Sequence, residues 1–217
     1  TLGIIGRTGS GKSTIVDLLM RQFDVDEGEI LIDGMNIKGI NLESYREQAG
    51  IVPQDAFLFS ESIRDNILFG TKNNDENDER LIEVTKNAHV YHNIVGFKDK
   101  FDTLLGERGV NLSGGQKQRL SIARALIRNP KLLILDDCLS AVDTETEEII
   151  LSNLNKLQTL TSIVVSHRVS SIRNSTIIIN IDNGELIEMG THTELINRKG
   201  EYAQLYHKQL DEENTNN

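Results

Sequence analysis

Eight consecutive residues, Gly6-Arg7-Thr8-Gly9-Ser10-Gly11-Lys12-Ser13, restrict this 217-residue chain more tightly than any other stretch. They follow a short apolar run, Leu2 to Ile5, and open a helical pattern that extends to about Gln22. Glycine reaches left-handed backbone angles without steric cost, so successive N–H groups in such a loop can converge on one anion. The N-terminus of the following helix adds partial positive charge at the same place. The pattern G-x-x-x-x-G-K-[ST] is therefore a phosphate cradle, in which Gly6, Thr8, Gly9, Ser10 and Gly11 supply the loop. Lys12 is expected to reach the β and γ phosphates of a nucleoside triphosphate and Ser13 to ligate Mg²⁺, with Thr14 as a further hydroxyl. Small-molecule kinases and switch proteins carry the same loop, so it establishes triphosphate binding and nothing narrower.

Strand and helix patterns alternate at both ends of the chain, which predicts an α/β fold with a mostly parallel sheet. Short apolar strands are expected at Glu29 to Asp33 and at Ile51-Val52, ended by Gly34 and Pro53, and again at Leu132 to Leu135, Ser162 to Val165 and Thr176 to Ile181. An Asn183-Gly184 turn joins the last of these to Leu186 to Met189, giving an antiparallel portion. Between about 57 and 128 the pattern turns helical, at Ile63 to Leu68, Asp78 to His89, Tyr91 to Phe97 and Gly115 to Arg128. This reads as an α-helical subdomain inserted into a core made of 1–56 and 129–210. The polar run Thr71 to Glu79, with three Asn and four acidic residues, reads as a solvated loop, and Asp211 to Asn217 as a flexible tail. The chain opens inside a strand pattern with no methionine or lead-in, so Thr1 is read as a truncation point or processing boundary. The first strands of the domain are then expected upstream, and sheet edges that they would pair are left open, lowering stability.

Composition removes other classes. The net charge of −10, from 33 acidic and 23 basic residues, offers no electrostatic footprint for a nucleic-acid backbone. No run approaches the roughly 18 apolar residues of a membrane-spanning helix, so a membrane role must come through a partner segment. Cys138 is the one cysteine, which excludes an intrachain disulfide and suits a reducing cytosolic setting with a structural thiol.

Two further segments narrow the reading. Leu132-Leu133-Ile134-Leu135-Asp136-Asp137 is an apolar strand that ends in two carboxylates. Downstream of a phosphate loop, Asp136 is expected to hold Mg²⁺ through its water shell and Asp137 to face the attacking water. Leu112-Ser113-Gly114-Gly115-Gln116 opens the helix Gln116 to Arg128 as a second anion-binding terminus. One phosphate loop does not need two cradles, so the second is expected to face the nucleotide of another copy or a homologous partner. A Ser-capped helix with a flexible lead-in would explain the serine but neither glycine.

With these residues the chain resembles the ATP-binding cassette domains over Thr1 to about Leu210. The resemblance implies a P-loop NTPase (RecA-like) core, with ATP and Mg²⁺ bound between two cassettes. Leu112 to Gln116 matches that family's LSGGQ signature, so Ser113, Gly114, Gly115 and Gln116 would cradle the partner's ATP. Gln54, in Val52-Pro53-Gln54-Asp55, matches the Q-loop glutamine, which senses Mg²⁺ and couples to the transmembrane part. Ser140-Ala141-Val142-Asp143 matches the D-loop, and His167 the switch histidine that contacts the γ phosphate. Leu105-Gly106-Glu107-Arg108-Gly109 resembles the X-loop of exporters, and Gly190 to Leu195 with Gly200-Glu201-Tyr202 resembles their C-terminal ending. Thr191 with Glu194 also forms a capping box, so part of that ending is a good helix start. The resemblance implies a motor on the cytoplasmic face of a membrane, partnered by a second cassette and by the transmembrane domain of an exporter.

Position 137 departs from the pattern, because hydrolytic members usually carry Glu there. One missing methylene withdraws the carboxylate by about 1 Å, and such a misplacement can cost about 100-fold in rate. Slow turnover is therefore expected, either as the degenerate-site half of a heterodimer or as a homodimer with a slow base. An importer ATPase, a P-loop kinase and an ABC-type ATPase not linked to transport are the rival readings. LSGGQ, the D-loop and His167 count against the kinase, and the acidic charge counts against action on nucleic acid.

Overall fold

The structure is a computed structural model that describes residues 1–71 and 77–215. It divides into two compact units, one made of Thr1–Ser44 with Ile163–Asn217 and the other of Tyr45–Ser162. The mostly parallel α/β arrangement expected from the sequence is present, with parallel strand pairs in both units and antiparallel pairing at two hairpins.

In the first unit β1 (Leu2–Ile5) lies between β6 (Thr161–Ser166) and β7 (Ile177–Asp182), parallel to both. Ile4 and Ile5 have no exposed surface, as a strand covered on both faces requires. Asn183 and Gly184 take left-handed angles, φ 48° and 79°, and turn β7 back into the antiparallel β8 (Glu185–Gly190), the hairpin predicted there. Helix α1 (Lys12–Leu19) stops short of Gln22, because Arg21 adopts φ 49° and returns its N–H to the Leu18 carbonyl. The strand expected over Glu29 to Asp33 is a smaller hairpin, β2 (Leu31–Ile32) with β3 (Met35–Asn36), closed by left-handed Asp33 and Gly34. Helices α8 (Val169–Ile172), α9 (His192–Arg198) and α10 (Glu201–Thr215) complete this unit. The capping box of Thr191 and Glu194 starts α9 as the sequence indicated. Residues 211–215, expected as the start of a tail, are the last turn of α10; residues 216 and 217, like 72–76 of the polar run, lie outside the described residues.

The second unit carries α2 (Leu42–Gln48, from Tyr45 onward), β4 (Ala49–Val52) and β5 (Leu132–Asp136), the strands parallel with Val52 opposite Leu135. Between them run α3 (Ile63–Leu68), α4 (Asp78–Asn87), α5 (Tyr91–Gly96) and α6 (Gly114–Leu126), followed by α7 (Thr144–Asn155) after β5. Ile63, Ile67, Leu81, Val84, Ile94, Leu120 and Ile122 are buried to within about 1% and form the apolar face that these helices share.

One cation organises that helical layer. Arg124 of α6 donates from Nε to the Asn66 carbonyl at 2.7 Å, from Nη1 to the Phe57 carbonyl at 2.8 Å and from Nη2 to Asn66 Oδ1 at 2.7 Å. Its guanidinium also lies 5.5 Å from the Phe59 ring centre and 6.0 Å from that of Phe69. Burial pushes the guanidinium down to about 10, which leaves it cationic at neutral pH. Three acceptors and two ring faces thus offset its desolvation. Arg124→Met should destabilise the fold by roughly 2–3 kcal/mol, because it strands buried acceptors. Arg124→Lys should restore little of this, since an ammonium cannot reproduce the planar fork. Urea unfolding of the three proteins side by side tests both statements.

Candidate functional site

The phosphate loop leaves β1 at Ile5 and returns as α1 at Lys12. Gly6 is the tightest point: a Cβ built there would sit 2.1 Å from the Ile181 carbonyl oxygen, a clash that no side chain escapes. Gly9 and Gly11 have φ of 81° and 104°, in the region that favours glycine. Ser10 turns the loop through its N–H to the Arg7 carbonyl at 3.1 Å, and its own carbonyl accepts from Gly184 N–H at 2.9 Å. The β7–β8 turn therefore pins the loop from behind. Gly11 stands at the cap of α1 and, having no side chain, makes no side-chain cap hydrogen bond to the first turn of the helix. Ser10 Oγ is buried and has no hydrogen-bond partner among the described residues. Lys12 Nζ donates to the Gly6 and Arg7 carbonyls at 2.7 and 2.8 Å, curled over the loop it is expected to serve. Thr8, Ser13 and Thr14 are exposed.

His167 belongs to the same unit, and the sheet register places it. Ile5 is paired with Ser166, so Gly6 and His167 are the residues that follow neighbouring parallel strands at one edge. In α/β sheets that carboxyl edge is where ligands bind. The imidazole is exposed.

The second unit holds the other predicted residues. Gln54 is exposed two residues beyond β4, and Asp136 ends β5, so both leave the carboxyl ends of two paired parallel strands. Asp137 adopts φ 47°, a conformation that Asp tolerates better than most side chains. Burial, and after it the nearby Asp136, Asp137 and Glu147, pushes the Cys138 thiol far above its ordinary range. A thiol so held is protonated and inert, in agreement with a structural role.

Ser113 caps α6: its Oγ accepts from Gln116 N–H at 3.2 Å while Gln116 Oε1 accepts from Ser113 N–H at 2.9 Å. Gly115 has a packing cause that the sequence did not reveal. A Cβ on Gly115 would approach the Ala141 carbonyl oxygen to 2.9 Å, and one on Gly114 would touch the Ala141 side chain at 3.4 Å. Gln118 Oε1 accepts from Ala141 N–H at 3.2 Å and holds that approach. Close contact with Ala141 accounts for Gly115, which a capped helix start alone does not. Asp143 caps α7 by accepting from Thr146 N–H at 2.9 Å, and this backbone bond holds its carboxyl below the ordinary range. Sequence reading also passed over Arg119, which donates to the Gly115 carbonyl at 3.2 Å and to the His89 carbonyl at 2.6 Å. It ties the start of α6 to the segment between α4 and α5.

Among the described residues no helix is long and apolar enough to cross a membrane. The chain is 46% identical over 212 residues to the ATP-dependent lipid A-core flippase of Pasteurella multocida (strain Pm70), a match that covers 97% of this chain and 36% of that protein. A solved structure of a bacterial Atm1-family ABC exporter with ATP bound superposes with a TM-score of 0.91 at 42% identity, over 96% of this chain and 36% of the other. The chain spans about a third of the length of the curated relatives it matches, 36% for the flippase. The ABC transporter family model matches residues 1–140, which include the phosphate loop, the LSGGQ segment and the Asp136-Asp137 pair, and on this ground the chain belongs to the ABC transporter family.

Proposed function

We propose that this chain is the ATP-binding and hydrolysing motor of an ABC exporter, closing on a second cassette around ATP and driving a transmembrane partner. The observation that carries the proposal is the phosphate loop: a cradle with no room for a Cβ at Gly6, two left-handed glycines, a helix start with no side-chain cap and a buried Ser10 hydroxyl without a partner among the described residues. A triphosphate fits that donor set, because its oxygens accept from the loop N–H groups and from Lys12. Mg²⁺, when bound, would neutralise charge on the phosphate oxygens, and Ser13, Gln54 and Asp136 offer the hard oxygen donors it prefers.

The remaining roles follow from the chain's own groups. Asp137 accepts the proton of the attacking water, Gln54 orients that water, and His167 donates to the γ phosphate. Ser113, Gly114, Gly115 and Gln116, with Asp143, meet the ATP held by the partner cassette. Helices α3 to α6 form the subdomain that passes motion to the transmembrane partner, on the cytoplasmic face of the membrane. Gln116 already spends its side chain in the capping box, so its part in the cradle is to hold the helix start with its N–H groups forward.

Asp137 decides between two forms of the motor. Its carboxylate is one methylene shorter than that of Glu, while its left-handed backbone favours Asp. Asp137→Glu should raise kcat by about 10- to 100-fold. It should lower the melting temperature slightly, through the cost of a longer side chain at positive φ. Mg-ATP turnover of both proteins across a range of protein concentrations tests this; equal, brisk rates would instead make Asp137 a sufficient base in a homodimer.

Two substitutions in the loop separate binding from folding. Lys12→Ala should weaken ATP binding about 10- to 100-fold, through loss of charge-assisted bonds, and leave the melting temperature of the nucleotide-free protein nearly unchanged. Gly6→Ala should lower both, because its Cβ would meet the Ile181 carbonyl. Equilibrium ATP binding and thermal unfolding, measured on each variant, tell the two effects apart.

A further inference from the structure

Strand β6 ends at Ser166 and α8 begins at Val169, so His167 and Arg168 are the whole of the turn between them. So short a turn takes its backbone groups out of the sheet ladder before the helix can pair them. The capping position before α8 is Arg168, whose side chain offers only donors and makes no cap hydrogen bond. Ser166 Oγ accepts from Arg168 N–H at 2.9 Å and lies 3.2 Å from Ser171 Oγ.

The groups on either side of Arg168 are met by one distant carboxamide. Gln209 Nε2 donates to the His167 carbonyl at 2.7 Å, and Gln209 Oε1 accepts from Val169 N–H at 2.8 Å. Both ends of the amide are used, and each contacts backbone rather than a mobile side chain.

Helix α10, which carries Gln209, is anchored two turns earlier. Glu188 of β8 accepts from Tyr202 N–H at 2.7 Å and from Asn180 Nδ2 at 3.3 Å. The Tyr202 ring is fully buried, and its hydroxyl lies 2.8 Å from His192 Nδ1. Seven residues separate Tyr202 from Gln209, which puts both on one face of the helix. The helix is thus a strut from β8 to the turn that presents His167.

We propose that Gln209 is the positioning residue for His167: its carboxamide fixes the backbone on both sides of Arg168 and so sets where the exposed imidazole stands beside the phosphate loop. This inference rests on the reading of His167 as the group that contacts the γ phosphate. Both hydrogen bonds of the Gln209 carboxamide go to the backbone of the His167 turn and none to the phosphate loop, so its effect is on turnover rather than on affinity.

The test is ATP hydrolysis by the full-length transporter, as wild type, Gln209→Met, His167→Ala and the double variant. Methionine keeps the length and bulk of glutamine and removes both hydrogen bonds. Gln209→Met should lower kcat by about 10- to 100-fold, as a displaced catalytic group does. It should change KM for Mg-ATP by less than about twofold, because the phosphate loop, which Gln209 does not contact, supplies most of the donors for the triphosphate. In the His167→Ala background the same substitution should have little further effect, since there is no imidazole left to place. A loss of equal size in both backgrounds would mean general damage to the fold and would overturn the inference. Wild-type kcat in Gln209→Met beside an inactive His167→Ala would also overturn it, with the proposed function intact. Full activity of His167→Ala would overturn the reading of His167, and the positioning role with it.

Discussion

The first unit depends on one arrangement, the parallel pairing of β1 with β6 on one side and β7 on the other. Leu2 faces Ile163 and Ile177, and Ile5 faces Ser166 and Asn180, so β1 and β6 run out together at one edge while β7 continues to Asp182. The next residue of each is then determined by geometry. After Ile5 comes Gly6, whose missing Cβ leaves space for the Ile181 carbonyl; after Ser166 comes His167. A shift of one residue in either pairing would move every β1 side chain to the opposite face of the sheet and separate the histidine from the loop. The buried isoleucines of β1 prevent that shift, which ties the hydrophobic core to the chemistry at its edge.

The second unit solves a different problem, the support of short helices that cannot persist alone. Arg124 joins α6 to α3 and to the segment after Gln54 through backbone carbonyls, and Arg119 joins the start of α6 to the α4–α5 connection. Gln118 holds Ala141 against the first turn of α6, where only glycine fits. Three polar side chains of one helix therefore set the positions of the LSGGQ segment, the Gln54 segment and the turn that ends in Asp143. In the proposed function these contacts matter because an anion cradle works only when its N–H groups point together.

Much of this was legible in the sequence, for identifiable reasons. The phosphate loop, the capping boxes at Ser113 and Thr191, and the Asn183-Gly184 hairpin are local motifs, in which residues within a few positions satisfy one another. Helix α3 was read at its true bounds because its cap and its apolar face fall within one short window. Helix α7 is absent from the sequence reading, although Asp143 and two acidic residues in its first turn mark its start. Helix α10 was read partly as tail because its polar last turns carry little apolar period. The Gly114-Gly115 pair was read as a ligand feature alone, since nothing near it in sequence announces that Ala141 will pack there.

The sequence by itself determined that the chain binds a nucleoside triphosphate, that it folds around a mostly parallel sheet, and that it resembles the ATP-binding cassettes. Each of these follows from residues close together in the chain, where backbone preference and hydrogen bonding act locally. Only the tertiary structure decided what holds the site in place. The Ile181 carbonyl behind Gly6, the Ala141 carbonyl behind Gly115, and Gln209 against the His167 turn are contacts between residues tens or more positions apart. Such contacts leave no local pattern, because the packing of whole elements brings them together after each element has formed.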